Sequence, residues 1–475
     1  MAHVGELIDH PLWGRGRVRA ILDGGRYYAV AFSGRPGLPR RVLASSLQGS
    51  RVSSRASGSR PVSAPPRAPS AAPVDAAGGV VARLEGSTAD LRQALEALRL
   101  GVVPAMGLEA LTVARDTELA AVRGVLAEAH GLLMLSGAYG AGKTHLVEVA
   151  ESLALGAGFL VARATFDPIE LPPSHPLRLY GVLARGLRYP DGVGRGVRPL
   201  LERLAERPVH HRPGSSMAHR YLTPAAWALQ FADPALAEEL IDHVEGQPGR
   251  ASADLDAALR RAGWRGPRLL SLPDYRTFGQ IMAYLLGGIA TWAREAGYRG
   301  LMVLVDEAEY LDRLEATSRD WATNLLCHLA TACLPPTELA FDPAQAYRGG
   351  QAVHRALPAV FRGDQPLVGL CAFTPHPAID RVLRGVVAAP GRRLDLESVP
   401  PAELGQLAER ILALYRRVYP ALDPPERHRR QVQACLTKGF WRGDLTTTRQ
   451  AARLVVEFWD LYRHSPAQAV RALAA

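Results

Sequence analysis

Lysine is almost absent from this sequence. Of its 56 lysine and arginine residues, only Lys143 and Lys438 are lysines, which is typical of a genome that replaces lysine by arginine wherever the chemistry permits. A surviving lysine is therefore informative. Lys143 lies in a glycine-rich segment, where a compact ammonium group fits and a planar guanidinium does not.

Cysteine is also scarce, and no two cysteines have the CxxC spacing of a zinc site or a redox pair. Cys327 and Cys333 lie in an apolar helical stretch and are predicted to be core residues. None of the fourteen histidines has the spacing of a metal-ligand set. His210 and His211, close to Pro213, are predicted to lie in a loop.

Long hydrophobic runs are missing as well. The most apolar stretch, residues 281–293, is interrupted by Thr291 and is too short to span a bilayer. The first residues lack the basic and apolar regions of a secretory signal. We therefore expect a cytoplasmic protein that does not associate with a membrane.

The chain has 475 residues, a length that predicts two to four domains. Its charge is distributed unevenly along that length. Residues 1–80 contain eleven arginines and four acidic residues, so they carry a net charge of +7 out of the chain's +10. Any electrostatic attraction to duplex DNA is therefore expected to be concentrated in this N-terminal part.

Residues 1–48 are predicted to form a small β module, with strands at 18–22, 27–32 and 40–43. The pattern H-P-x-x-G-x-G-x-V that begins at His10 resembles the opening of the Tudor/SH3-like barrels at the ends of some bacterial helicases and transcription-coupled factors. The resemblance implies a docking module for duplex DNA or RNA polymerase; a barrel that binds nothing is the alternative. Residues 49–86, rich in Arg, Ser, Pro and Ala, are predicted to be a disordered linker.

The strongest motif is G-x-x-x-x-G-K-T between an apolar strand at 132–136 and a helix that begins near Thr144. Glycines let backbone N–H groups converge on phosphates, Lys143 is expected to contact the β- and γ-phosphates, and Thr144 is expected to ligate Mg²⁺. The ATP-binding residues are predicted to be Gly137, Ala138, Tyr139, Gly140, Ala141, Gly142, Lys143, Thr144 and His145.

A second motif completes the predicted site. The apolar residues 301–305 lead directly into Asp306 and Glu307. Asp306 is predicted to hold the magnesium ion together with Thr144, and Glu307 to act as general base toward the attacking water. Four apolar residues followed by two acids form a weak motif alone, but a strong one downstream of a phosphate-binding loop.

Further positions follow from a resemblance to AAA+ ATPases. Residues 113–119 are similar to a hydrophobic-G-R-x-x-E-L segment that lies near the adenine in those enzymes, with Ala114 in place of the usual glycine. The strand at 367–373 ends at Thr374, which the resemblance implies to be the γ-phosphate sensor. A helix N-cap is the alternative role for Thr374.

The same resemblance implies two arginine roles. Arg381 or Arg384 occupies the place of an arginine finger that reaches a neighbouring subunit. Arg449, with Arg442 as second choice, occupies the place of a second sensor, and a solvated surface arginine is the alternative.

The predicted fold class is therefore α/β: a P-loop NTPase with an AAA+-like parallel sheet, plus the small N-terminal barrel. Residues 87–398 form the predicted ATPase core, interrupted by a helical insertion at about 166–295 that is too long for a simple crossover. Residues 399–475 form a predicted helical lid.

The chain also resembles one family in particular, the ATP-binding proteins of bacterial BREX phage-defence systems. The similar segments are at 97–104, 174–176, 297–309 and 447–449, within a resemblance that covers residues 90–470. It implies an AAA+-like ATPase, of the branch close to origin-recognition and STAND proteins, that works with other defence proteins.

Three functions remain open. The leading hypothesis is an ATPase that regulates or remodels a DNA-associated complex in phage defence. The second is a binding switch that holds ATP with little hydrolysis, and the third is a transcription-linked scaffold. A homo-oligomer stays open, and a small-molecule kinase fits least.

Overall fold

The computed structural model describes residues 3, 6–10, 14–22, 27–32, 40–43, 86–104, 108–311 and 313–474. The chain divides into two compact units, residues 1–83 and 84–475. The strands are β1 (Leu7–His10), β2 (Gly14–Leu22), β3 (Tyr27–Phe32), β4 (Arg40–Leu43), β5 (Gly131–Gly137), β6 (Leu160–Thr165), β7 (Leu301–Asp306), β8 (Leu367–Phe373) and β9 (Arg393–Leu396).

The helices of the described residues all belong to the second unit. They are α1 (Thr88–Arg99), α2 (Leu108–Leu111), α3 (Asp116–Glu128), α4 (Lys143–Gly156), α5 (Pro176–Arg185), α6 (Arg198–Ala205), α7 (Pro208–His211), α8 (Leu222–Phe231), α9 (Pro234–Val244), α10 (Ser252–Ala262), α11 (Gly279–Glu295), α12 (Ala316–Cys333), α13 (Ala352–Arg355), α14 (Pro377–Val386), α15 (Pro401–Val418), α16 (Glu426–Arg442), α17 (Thr448–His464) and α18 (Pro466–Ala474).

The N-terminal unit contains an antiparallel sheet with strand order β1-β2-β3-β4. Three of its strands were predicted, whereas β1 was not, because four residues leave little alternation to detect. The register of β2 against β3 shifts between Val18 and Ala20. Closure of this sheet into a barrel stays a prediction, and residues 49–85 of the predicted linker lie outside the described residues.

The second unit is built on a parallel sheet with strand order β6-β7-β8-β5-β9. Every residue of β5, β7 and β8 is buried, as expected for strands that have helices on both faces. This confirms the predicted α/β class. Because the strands are parallel, the carboxyl ends of β5, β7 and β8 meet at one edge of the sheet, which is where such folds bind ligands.

Helices α5 to α11 fill the interval between β6 and β7, so the predicted helical insertion is confirmed. The apolar stretch at 281–293 forms most of α11, which is buried along nearly its whole length. The loop prediction for His210 and His211 is wrong: both belong to α7 and are buried, with the ring of His210 edge-on to that of Trp292.

The C-terminal helices α15 to α18, here called the lid, pack around a separate apolar core. Helix α1 contributes Leu91, Leu95 and Leu98 to that core. The sheet and α4 share a different cluster, which includes Leu133, Leu146 and other buried side chains. Helix α1 therefore packs with the lid, although it precedes the sheet in sequence.

The cysteines and the apolar stretches were singled out in the sequence. Cys333 is buried and Cys327 is partly buried. In the described part of the chain, no helix has the length and apolar character needed to cross a membrane.

Buried histidines predict that acid destabilises the fold. His219 is 1% exposed, and its Nδ1 accepts hydrogen bonds from the backbone N–H groups of Tyr221 and Leu222 at the start of α8. Burial lowers the pKa of His219 to about 3. Below its ordinary pKa of about 6.5, the unfolded chain therefore binds a proton that the folded chain does not, and stability falls as the pH falls.

We expect His219 alone to reduce the free energy of unfolding by about 1.5 kcal/mol between pH 6.5 and 5. Urea unfolding at both pH values would measure this loss. A His219→Asn chain, which keeps an acceptor but does not titrate, should lose correspondingly less. A chain with the exposed His464 replaced by Asn should behave like the native one; equal pH dependence in all three chains would contradict the assignment.

Candidate nucleotide site

The P-loop is the turn between β5 and α4. Gly140 and Gly142 have φ values of +82° and +102°, a left-handed backbone that favours glycine. Gly142 is the N-cap of α4 and provides no side-chain cap bond. The first N–H groups of α4 are therefore available to an anion, and the helix dipole favours negative charge there.

Lys143 reaches across the sheet edge from the first turn of α4. Its side chain is mostly buried, and Nζ donates to the carbonyl of Gly137 at 2.8 Å and to Thr374 Oγ1 at 2.9 Å. The N-cap of α14 is His376, whose side chain accepts from the backbone of Ala378. The alternative role of Thr374 as that helix cap is therefore excluded, and the structure places Thr374 against the ammonium group.

Asp306 is the last residue of β7, which lies next to β8 in the sheet, and Glu307 follows it directly. Asp306 is 2% exposed, and its Oδ1 accepts a hydrogen bond of 2.9 Å from the backbone of Glu307. Glu307 has a φ of +57°, which is unfavourable for a side chain of its size and is often found at active sites. Because β7 and β8 are adjacent, Asp306 lies at the same sheet edge as Lys143 and Thr374.

Arg163 is a residue of this site that the sequence did not predict. It projects from β6, and its guanidinium contacts Glu148 of α4, Glu151 at 3.4 Å and Asp306 Oδ2 at 3.8 Å. Arg188 pairs with the other oxygen of Glu151. These contacts neutralise carboxylates that would otherwise be costly to bury, and they join α4 to the end of β7. An arginine within an apolar strand was the only available signal.

One cavity of about 650 Å³, a size that suits a nucleotide, is lined by most of the predicted site residues: residues 139–145, Glu307 and Arg449. Gly137, Ala138, Asp306 and Thr374 are not among its lining residues. The P-loop and Glu307 form one wall, and the lid forms another, with Arg449 at its rim. Arg442, the second choice for the sensor, does not line the cavity. The remaining wall is largely apolar and includes Leu98, Val102, Val103, Pro104, Leu111 and Val113.

The lid touches the P-loop directly. A Cβ on Gly140 would lie 2.3 Å from the methyl carbon of Thr447, and one on Gly101 would lie 3.1 Å from the side chain of Arg449. Thr447 is the N-cap of α17 and forms a capping box with Gln450. The capping box fixes where α17 begins, and Arg449 in its first turn lines the cavity.

Arg115 fixes the position of the P-loop from the other side. It is buried, and its Nη2 donates to the carbonyls of Ala141 at 2.8 Å and Glu397 at 2.7 Å. Burial lowers the pKa of Arg115, and the nearby Glu118 opposes that effect. This arginine belongs to the predicted segment at 113–119 and links the P-loop to the end of β9.

Ala114, which precedes this arginine, has a φ of +53°. A left-handed conformation strains alanine but not glycine, which explains why glycine is usual at this position. Ala114→Gly is therefore expected to stabilise the fold by about 1 kcal/mol. Urea unfolding would measure the change.

Ala120, an exposed residue in the interior of α3, is the matched control for Ala114. Ala120→Gly is expected to destabilise the fold by about 1 kcal/mol, since glycine disfavours a helix interior. Changes of the same sign in both chains would contradict the strain at Ala114.

His145, the next residue after Thr144, also lines the cavity. Its Nε2 lies 2.7 Å from Thr112 Oγ1. Burial, reinforced by the neighbouring Arg115, lowers the pKa of His145 to about 4. The imidazole is therefore neutral near pH 7.

The residues present are compatible with a magnesium ion. In the described residues there is no cluster of three His, Cys, Asp or Glu side chains that could hold a metal by itself. A nucleotide-bound magnesium needs fewer protein ligands, because phosphates and water supply the rest. Thr144, in the first turn of α4, and Asp306, at the end of β7, offer the hydroxyl and the carboxylate for this role.

Arg381 and Arg384, the two candidates for an arginine finger, lie elsewhere. Both are exposed on α14, and neither lines the cavity. A finger that acts on a neighbouring subunit needs such exposure, so the choice between them stays a prediction.

Comparison with known proteins agrees with the resemblance stated from the sequence. The family described as BREX system ATP-binding protein BrxC/D matches residues 87–203 and 279–336. No curated protein matches the chain. Among solved structures, the Orc1 protein of Aeropyrum pernix, determined in complex with DNA, matches with 13% identity and a TM-score of 0.31.

That match covers 76% of this chain and 65% of the Orc1 chain, so the chain spans about two thirds of the length of that protein. The segments matched by the family contain the P-loop, Arg163, Asp306 and Glu307. Through these segments, the chain is similar to the family described as BREX system ATP-binding protein BrxC/D.

Proposed function

We propose that this chain binds ATP with magnesium between the P-loop and the lid, hydrolyses it, and uses its nucleotide state to regulate or remodel a DNA-associated complex in phage defence. One observation carries the proposal. Lys143, Glu307 and Arg449 line the same cavity, and Lys143 Nζ lies 2.9 Å from Thr374 Oγ1. Two motifs that are far apart in sequence therefore both contribute to one cavity.

Each side chain has a role that follows from its position. The N–H groups of the P-loop and Lys143 bind the β- and γ-phosphates, and Thr144 and Asp306 would hold a magnesium ion, which would neutralise charge on the phosphates. Glu307 accepts a proton from the attacking water, and Thr374 contacts the γ-phosphate. Arg449 contacts the phosphates from the lid.

Direct contact between lid and P-loop supports a second candidate. Thr447 packs on Gly140, and we therefore expect phosphate binding at the P-loop to be coupled to the position of the lid. If the main effect of ATP binding is to move the lid, the protein could hold ATP with little hydrolysis and thereby change its affinity for a partner. In that case the protein is a nucleotide-dependent switch.

ATPase activity of the full chain, measured with and without duplex DNA and alongside mass in solution with ATP, separates these functions. Turnover that DNA stimulates supports the remodelling ATPase. Slow turnover that DNA does not change, with tight ATP binding, supports the switch. Absence of ATP binding would overturn both.

A role of the basic N-terminal region in DNA binding is a further part of the proposal. Electrostatic contacts with phosphates weaken steeply as salt rises. Removing residues 1–83, which form their own compact unit, should therefore weaken DNA binding at low salt and reduce its salt dependence. Unchanged DNA affinity after that deletion would place the DNA contact elsewhere.

A further inference from the structure

His145 and Thr112 form a short chain of hydrogen bonds at the edge of the cavity. Thr112 Oγ1 lies 2.7 Å from the backbone carbonyl of Leu108 and 2.7 Å from Nε2 of His145. Both His145 and Thr112 line the cavity. Thr112 is largely buried, so its hydroxyl depends on these two partners.

The protons of this chain can be assigned by elimination. A carbonyl has no proton, so the Thr112 hydroxyl donates its only proton to Leu108. Its oxygen can then only accept from His145, so Nε2 carries the ring proton. In a neutral imidazole, Nδ1 is then a hydrogen-bond acceptor. Among the described residues, no hydrogen bond reaches Nδ1 of His145.

The position of His145 matters because it follows Thr144 of the P-loop directly in sequence and contacts Thr112 through Nε2. The apolar residues Val103, Pro104 and Val113 line the same cavity. A flat heterocyclic base suits this apolar wall, and its polar edge then meets the few polar groups present.

We propose that Nδ1 of His145 accepts a hydrogen bond from the exocyclic amino group of adenine, and that Thr112 is the positioning residue that fixes the tautomer. The inference rests on the proposed function and specifies its substrate class. Adenine presents an N6–H₂ donor where guanine and hypoxanthine present an O6 acceptor. The lone pair of Nδ1 attracts the N6–H₂ donor of adenine and repels the O6 acceptor of guanine and hypoxanthine. His145 and Thr112 together therefore select ATP over 6-oxopurine nucleotides.

Calorimetric titration of the full chain with ADP, GDP and IDP, each with magnesium, tests the proposal without interference from hydrolysis. We expect the native chain to bind ADP at least about tenfold more tightly than IDP or GDP, since one hydrogen bond is lost and an acceptor is left opposite a lone pair. His145→Phe, which keeps a planar ring, should bring the three affinities within about threefold of each other.

Two variants of Thr112 test its positioning role. Thr112→Val removes the hydroxyl that fixes the tautomer and should reduce the preference for ADP, while Thr112→Ser keeps the hydroxyl and should restore it. A purely structural role would instead weaken all three nucleotides equally. If thermal unfolding shows that His145→Phe does not fold, Thr112→Val and Thr112→Ser still test the proposal.

The outcomes separate this inference from the proposed function. Equal affinity of the native chain for the three nucleotides, or an equal loss for all three in His145→Phe, would overturn the adenine contact while leaving nucleotide binding intact. Absence of binding by any nucleotide would overturn the proposed function, and the inference with it.

Discussion

A Lys143→Met chain is expected to bind ATP at least about 100-fold more weakly than the native chain. Nζ already lies within hydrogen-bonding distance of Gly137 and Thr374 at the sheet edge, so it is in place for the phosphates. Charge-assisted hydrogen bonds contribute about 1.5–3 kcal/mol each, and at least two are lost. Calorimetric titration with ATP and magnesium measures the loss.

The sequence supplies a matched control for this substitution, because Lys438 is its only other lysine and lies exposed on α16. Lys438→Met should bind ATP as the native chain does. Lys143→Arg should also bind weakly, since a guanidinium does not fit the same space. ATP affinity within threefold of native in Lys143→Met would refute the phosphate-binding role.

Glu307→Gln should leave ATP binding nearly unchanged and slow hydrolysis about 100-fold or more, which is the usual contribution of a general base. The amide keeps the size of the side chain but cannot take a proton from water. Single-turnover hydrolysis with saturating protein, together with the dissociation constant for ATP, separates the two effects.

Glu202→Gln, at an exposed position on α6, is the control and should hydrolyse ATP at the native rate. If Glu307→Gln hydrolysed ATP as fast as the native chain, Glu307 would not be the base. The nucleotide-dependent switch would then become the better account of this protein, because its output does not require rapid turnover.

Much of the sheet could be predicted because local signals agreed. Buried parallel strands give continuous apolar runs, and the P-loop and the Asp306–Glu307 pair mark where two of them end. The last strand was predicted at 392–396 and is found at Arg393–Leu396. Thr374 could be placed for the same reason, since it follows the end of an apolar run.

Other features depend on contacts between distant residues and leave no local signal. Arg410 of the lid donates to the carbonyls of Ala110 and Thr112, some 300 residues earlier. Arg163 becomes part of the site only because β6 lies beside β7. The left-handed backbone of Glu307 is likewise invisible in the sequence, because a glutamate after a strand has no reason to adopt it in isolation.

His210 and His211 show the opposite error, in which local cues were misleading. Two histidines that lie between prolines and beside Arg212 are typical of a loop, but tertiary packing buries both rings in α7. Burial lowers the pKa of His210 to about 4. Local composition cannot report such packing, because the partner Trp292 lies in a different helix.

The packing of α1 with the lid has a consequence for how a bound nucleotide would transmit a signal. Because α1 shares the core of the lid and Arg410 donates to the carbonyls of Ala110 and Thr112, the apolar wall of the cavity is joined to the C-terminal helices. The P-loop is joined to the sheet through β5. We therefore expect a bound nucleotide to link the lid with the sheet, and loss of its terminal phosphate to weaken this link on the sheet side only.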